Sequence, residues 1–217
     1  MAKLKLAVLI SGRGTNLQAL IDACADAAFP AEIVLVISNE ADAKGLDRAR
    51  AAGILTTVVD HRGFAERADF DAKLGDAIRA GGAGLVCLAG FMRVVTETFV
   101  REWRDRLINI HPSLLPAFRG LNTHARAIAA GVRFAGCTIH FVRAEMDAGP
   151  IIVQAAVPVR PDDTAETLAE RVLAEEHKIY PQAVRLIAEG RVRVAGETVR
   201  ITGAEAPEAA LSNPVES

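Results

Sequence analysis

Residues 4–28 read LKLAVLISGRGTNLQALIDACADAA. The run Leu4–Ile10 is apolar at nearly every position, which suits a strand covered on both faces. It breaks at once into Ser11-Gly12-Arg13-Gly14, and Asn16–Ala28 then carries helix-like character. Strand, glycine loop and helix together open a parallel α/β sheet. Small residues in the loop let backbone N–H groups face an anion, and the helix N-terminus adds its dipole; Arg13 adds a charge. Leu17 stands where a dinucleotide fingerprint needs its third glycine, and no Gly-Lys-Ser/Thr follows. A monophosphate is therefore the expected ligand, at the carboxyl end of the first strand. The competing reading is a plain turn in which Thr15 or Asn16 caps the helix.

The alternation continues. Strand-like runs occur at Glu32–Ser38, Leu55–Val59 and Gly84–Ala89, with helix-like stretches at Ala43–Ala52 and Arg67–Ala80. Pro30, Gly53 and the Gly81-Gly82 pair mark the passages from helix to strand. The expected fold class is α/β: a Rossmann-like, mostly parallel sheet with helices on both faces. A mixed C-terminal part should follow, with a helix at Thr96–Trp103, a strand at Leu107–Ile110, a short helix at Thr123–Ala130 and strands at Cys137–Val142 and Ile151–Val157. A long helix is expected from Asp163, with Asp163 as cap and Glu166 three residues on, kinked or restarted at Pro181 and ended at Gly190. Val192–Val194 and Thr198–Ile201 suit a small hairpin. We expect one domain over residues 1–201, about 1–103 forming a phosphate-binding half and 104–201 a catalytic half. Residues 202–217 are expected to be a disordered tail.

The totals narrow the function. The chain of 217 residues has a formal net charge of −2 and no long Lys/Arg cluster, which gives no basic face for nucleic acid. No stretch approaches the length of a membrane span, and the N-terminal apolar run is too short for a signal peptide. Cys24, Cys87 and Cys137 are sparse and far apart, which points to a reducing, cytoplasmic setting.

Residues 108–120 read INIHPSLLPAFRG. On an extended strand Asn109 and His111 point the same way, opposite Ile108 and Ile110, and Pro112 helps to end the strand. Thr138 and His140 share a face by the same alternation. Asp147 follows in a turn made by Gly149 and Pro150. An amide, an imidazole and a carboxylate in one cleft suit attack on a carbonyl: the amide donates to the oxyanion, the histidine moves protons, and the carboxylate orients the histidine. Spacing does not show that Asp147 reaches His111. The histidines lack HxH or HxxxH spacing, so no metal is expected; His61 and His124 read as structural.

The segments ISGRGTNLQALIDAC, LAGFMRVV, NIHPSLLPAFRG, GCTIHFV, DAGPIIVQAAVPV and EEHKIYP resemble, in this order, the folate-dependent phosphoribosylglycinamide formyltransferases of the formyltransferase superfamily. The resemblance spans about Lys3 to Gly190. It implies formyl transfer from 10-formyltetrahydrofolate, a co-substrate, to glycinamide ribonucleotide in purine synthesis, by a monomer or homodimer. It also implies Asn109 as oxyanion donor, His111 as acid/base and Asp147 as its coupled carboxylate. Gly14, Thr15, Asn16 and Glu176 would hold the ribonucleotide. The folate would lie along Met92, Arg93, Val94 and Val95 and along Arg143, Ala144, Glu145, Met146 and Asp147, touching Asn109, with Arg67 near its outer part. For Met92 and the valines the ordinary alternative is core, and for Glu176 a solvated helix position. The rivals are a formyltetrahydrofolate hydrolase, with water replacing the amine, and a non-catalytic nucleotide-binding protein.

Overall fold

The computed structural model describes residues 2–214. The final three residues of the expected tail, 215–217, lie outside them. Seven strands form one sheet: β1 (Leu4–Ile10), β2 (Ala31–Ser38), β3 (Thr56–Val58), β4 (Leu85–Leu88), β5 (Leu107–His111), β6 (Phe134–Phe141) and β7 (Ile151–Pro158). Their order is β3-β2-β1-β4-β5-β6-β7, parallel as far as β5, after which β6 and β7 run antiparallel. The helices are α1 (Thr15–Ala25), α2 (Lys44–Ala51), α3 (Arg67–Ala80), α4 (Glu97–Glu102), α5 (Thr123–Ala129) and α6 (Ala165–Ala188). A two-stranded hairpin, β8 (Val192–Ala195) and β9 (Thr198–Ile201), closes the regular structure.

The alternation of strand side chains divides the core in two. Leu6, Val8 and Ile10 of β1 face the larger cluster, with Leu17 and Leu20 of α1, Leu46 of α2, Ala127 of α5 and Tyr180 of α6. Ala7 and Leu9 face the smaller one, with Phe70, Leu74 and Ile78 of α3 and Phe99 of α4. Helices thus cover both faces, as expected. The smaller cluster stops at the start of β5, however, and contains no buried residue of β6 or β7. That uncovered part of the second face is where the polar residues of β5 and β6 point.

Sheet order fixes the ligand crevice. The chain steps from β1 outward to β2 and β3, then returns to the other side of β1 with β4. Loops after β1 and β4 therefore leave in opposite directions and open a crevice at the strands' carboxyl ends.

Several boundaries differ from the sequence reading. Helix α1 stops at Ala25, because Asp26 turns extended and its carboxylate accepts the Ala28 N–H at 2.8 Å. The third strand shrinks to Thr56–Val58, an edge strand paired only with β2. Strand β6 begins earlier, at Phe134, because its pairing with β7 extends to Pro158. The long helix is capped by Thr164 with a reciprocal bond from Thr167. Asp163 instead accepts from Arg160 N–H and Thr167 Oγ1 and pairs with Arg171. Pro181 neither ends nor restarts α6: Ile179, Tyr180, Ala183 and Val184 are buried around it, and packing rather than local propensity carries the helix through. After Ile201 no helix or strand is present among the described residues, although Asn213 donates to the carbonyls of Arg133 and Val159.

The β6–β7 pairing depends on a small residue at Gly136, where a Cβ would lie 2.0 Å from the Ala155 carbonyl oxygen and 2.8 Å from a Leu114 methyl. Gly136→Ala should destabilise the fold by about 2 kcal/mol or more, read as a lowered thermal midpoint. An unchanged midpoint would contradict this packing.

Candidate active site

The antiparallel register of β5 and β6 sets Asn109 opposite His140 and His111 opposite Thr138. All four side chains share the uncovered face. Asn109 Nδ2 lies 3.4 Å from His140 Nε2, and His140 Nδ1 lies 3.0 Å from the Phe141 carbonyl. The Nδ1 proton goes to that carbonyl, so Nε2 presents its lone pair to the Asn109 amide. Burial holds His140 below the ordinary histidine value, against the raising influences of the Phe141 carbonyl and Asp147. A neutral His140 thus takes one Asn109 N–H and leaves the other for an oxygen in the cleft.

His111 is buried with Nδ1 3.4 Å from Asp147 Oδ2 and Nε2 3.1 Å from the Phe118 carbonyl. Both ring nitrogens therefore face acceptors. Asp147 adopts a left-handed backbone (φ 53°), which aspartate tolerates better than most L-residues. Its Oδ2 also accepts the Gly120 N–H at 2.9 Å, and its Oδ1 lies 3.9 Å from His140 Nε2. Asn109 is thus paired with His140 and His111 with Asp147, and the two pairs lie side by side. Thr138 braces the loop after His111: its hydroxyl donates to the Ser113 carbonyl at 2.7 Å and accepts from Leu115 N–H and Gln154 Nε2.

At the glycine loop, Gly14 is the N-cap of α1, with φ 68°, and no side chain caps the helix. The capping role weighed for Thr15 or Asn16 is therefore replaced by another geometry. Asn16 Nδ2 reaches across to Glu176 Oε2 of α6 at 2.6 Å, and both side chains are 7% exposed. Glu176 is thus not a solvated helix position. Burial pushes its carboxyl up, partly offset by the Asn16 hydrogen bond. Among the described residues Asn16 Oδ1 is buried without a partner, an acceptor left for something else.

Loops after β1 and β4 meet through Ser11. Its N–H donates to the Gly90 carbonyl at 3.1 Å, and its hydroxyl accepts from Met92 N–H at 2.7 Å. Met92 is 71% and Val94 57% exposed, so they are not core; Arg93 is also exposed and Val95 half-buried. This apolar strip rims the crevice. Asp71 of α3 accepts the Thr96 N–H at 2.5 Å, which ties the helix that begins at Arg67 to the strip; the Arg67 side chain itself is exposed. In the loop after β6, Ala144, Glu145 and Met146 are exposed, with Glu145 paired to Arg119. The Arg143 guanidinium is turned elsewhere, to Asp105 Oδ1 at 2.8 Å and Glu197 Oε2 at 3.3 Å.

Sequence reasoning missed three contributors. Phe118 and Gly120 act through backbone atoms, for which side-chain chemistry gives no signal. Gln154 does leave one, as the lone polar residue of IIVQAAVP, and it bonds the Leu115 carbonyl at 2.9 Å.

A family model described as formyl transferase matches residues 4–184. The chain is 43% identical over 209 residues to phosphoribosylglycinamide formyltransferase of Haemophilus influenzae, covering 96% of this chain and 99% of that one. It is 52% identical over 199 residues to the trifunctional purine biosynthetic protein adenosine-3 of Bos taurus, covering 92% of this chain but 20% of that protein. The chain thus spans about a fifth of the length of that trifunctional relative. Among solved structures, glycinamide ribonucleotide transformylase 1 from Symbiobacterium toebii superposes with a TM-score of 0.90 at 52% identity, covering 92% of this chain and 94% of that one.

The raised Glu176 carboxyl gives a test with a definite sign. Folding favours its protonated form, so the contribution is present at low pH and is lost as pH rises from the ordinary glutamate value through the raised one. Glu176→Gln should raise the unfolding midpoint at neutral pH and leave it unchanged below the ordinary glutamate value. A destabilised variant at neutral pH would contradict the burial argument.

Proposed function

The chain belongs to the formyl transferase family, and from that premise we propose that it is a phosphoribosylglycinamide formyltransferase. It transfers the formyl group of 10-formyltetrahydrofolate to the amine of 5-phosphoribosylglycinamide, a step of purine synthesis, in the cytoplasm. The observation that carries this reading is the side-by-side grouping of the Asn109–His140 and His111–Asp147 pairs at one end of the crevice. At the other end lie the glycine loop and the buried Asn16–Glu176 pair.

In this reading the ribonucleotide's phosphate lies on the amides of Gly14, Thr15 and Asn16, and its polar groups meet Glu176 and the free Asn16 oxygen. The folate lies along Met92, Arg93, Val94 and Val95, against the backbone of the Arg143–Asp147 loop, with Arg67 near its outer end. The amine attacks the formyl carbon: a C–N bond forms, and the carbonyl electron pair moves to oxygen. Asn109 Nδ2 donates to that oxyanion. The attacking nitrogen loses a proton and the folate nitrogen gains one, with His111, held by Asp147, managing the transfer. The intermediate collapses by breaking the bond to the folate nitrogen, which leaves formylated ribonucleotide and tetrahydrofolate. Orientation of the two substrates in one complex supplies up to several kcal/mol, about 7 or more at best.

The direct test follows absorbance of the deformylated folate with and without glycinamide ribonucleotide. Product only with the ribonucleotide supports the transferase, equal product without it means a hydrolase, and none from folded protein means a binding protein. Asn109→Ala should lower kcat by about 10² or more. Near-normal turnover would remove its assigned role.

A further inference from the structure

Successive carbonyls of the glycine loop are held by donors of α1 and α2. The Gly12 carbonyl accepts from Gly45 N–H at 3.0 Å, and the Arg13 carbonyl accepts from Arg48 Nε at 2.9 Å. The Gly14 carbonyl accepts from Gln18 N–H at 2.9 Å, the first bond of α1. Arg48 Nη1 reaches Gln18 Oε1 at 3.2 Å, so one side chain of α2 clasps both the loop and the helix it opens.

Peptide planarity turns this into an argument about the ligand. In a trans peptide the C=O of one residue and the N–H of the next point in opposite directions. Holding the Arg13 carbonyl therefore aims the Gly14 N–H the other way, and holding the Gly14 carbonyl does the same for Thr15. Main-chain contact between loop and helix keeps this arrangement tight. A Cβ on Gly14 would come 2.6 Å from Gly45 Cα, and one on Gly45 would come 2.5 Å from an Ile10 methyl. The unpartnered, buried Asn16 Oδ1 points independently to a ligand at this loop.

We propose that Arg48 is a positioning residue for the ribonucleotide phosphate: its Nε–H holds the Arg13 carbonyl and so aims the loop amides, without touching the substrate. This rests on the reading of the loop as the phosphate site given above. The role belongs to the donor at Nε rather than to the positive charge. Arg48→Gln keeps an N–H donor at the position of Nε and removes the charge. Arg48→Lys keeps the charge and places a methylene there, and Arg48→Ala removes both.

Steady-state kinetics with both substrates varied separate these cases. The KM for glycinamide ribonucleotide should rise about tenfold in the Ala and Lys variants, the equivalent of one hydrogen bond, and stay within about threefold in Gln. The kcat and the KM for formyl folate should hold in all three. Rescue by Lys with failure of Gln would assign a charge contact and overturn the proposal. So would an unchanged ribonucleotide KM in all variants, or a parallel change in every constant, which would mark a general structural role. Failure of the functional reading itself would appear in the wild type, as absence of formylated ribonucleotide; failure of this inference appears only in the variants.

Discussion

The antiparallel pairing of β6 with β5 is the constraint on which the site depends. Without it Asn109 would project from a strand end with nothing to orient its amide. With it, His140 stands opposite Asn109 and Thr138 opposite His111. Burial keeps His140 in the state that accepts from Asn109, and Thr138 fixes the loop that leaves His111. The reversal of strand direction also leaves part of one sheet face without helices, so polar side chains there are covered by the loops after β5 and β6 instead of by an apolar helix face.

The two ends of the crevice use different physics. At the glycine loop, main-chain groups are held by bonds from α1 and α2, and the buried Asn16–Glu176 pair links α1 to α6 across 160 residues of sequence. At the β5–β6 end, polar side chains predominate, and two loops converge on them. One brings the Phe118 carbonyl and Gly120 N–H, the other brings Asp147, and the Arg119–Glu145 ion pair joins them. Ser11 spans the loops after β1 and β4, so displacement of either is felt by the other.

Much of this was legible in the residues, and the misses have physical causes. Continuous apolar strands separated by helical stretches gave the parallel sheet, and period-two alternation put Asn109 with His111 and Thr138 with His140. Alternation within a strand says nothing of the strand beside it, however. The reach of Asp147 to His111 needed the tertiary turn. The exposure of Met92 and Val94 was equally hidden, since an apolar run reads alike in a core and on a rim. The restart allowed at Pro181 did not occur because burial on either side overrode local propensity, and Asp163 misled because its carboxylate found Arg171 and Thr167 instead of the helix start. Phe118 and Gly120 left no trace, because a backbone atom has no residue signature.

The central claim is that the amine attacks the formyl carbon directly, in a complex holding both substrates, before water can. The measurement that bears on it most directly is the fate of oxygen label from 10-formyltetrahydrofolate carrying ¹⁸O in its formyl group, turned over with glycinamide ribonucleotide in ordinary water. Direct transfer predicts that the formylated ribonucleotide retains the label in full and that no labelled formate appears. Dilution of the label in the product, or labelled formate released alongside unformylated ribonucleotide, would mean that water reaches the carbon first, and would contradict the account.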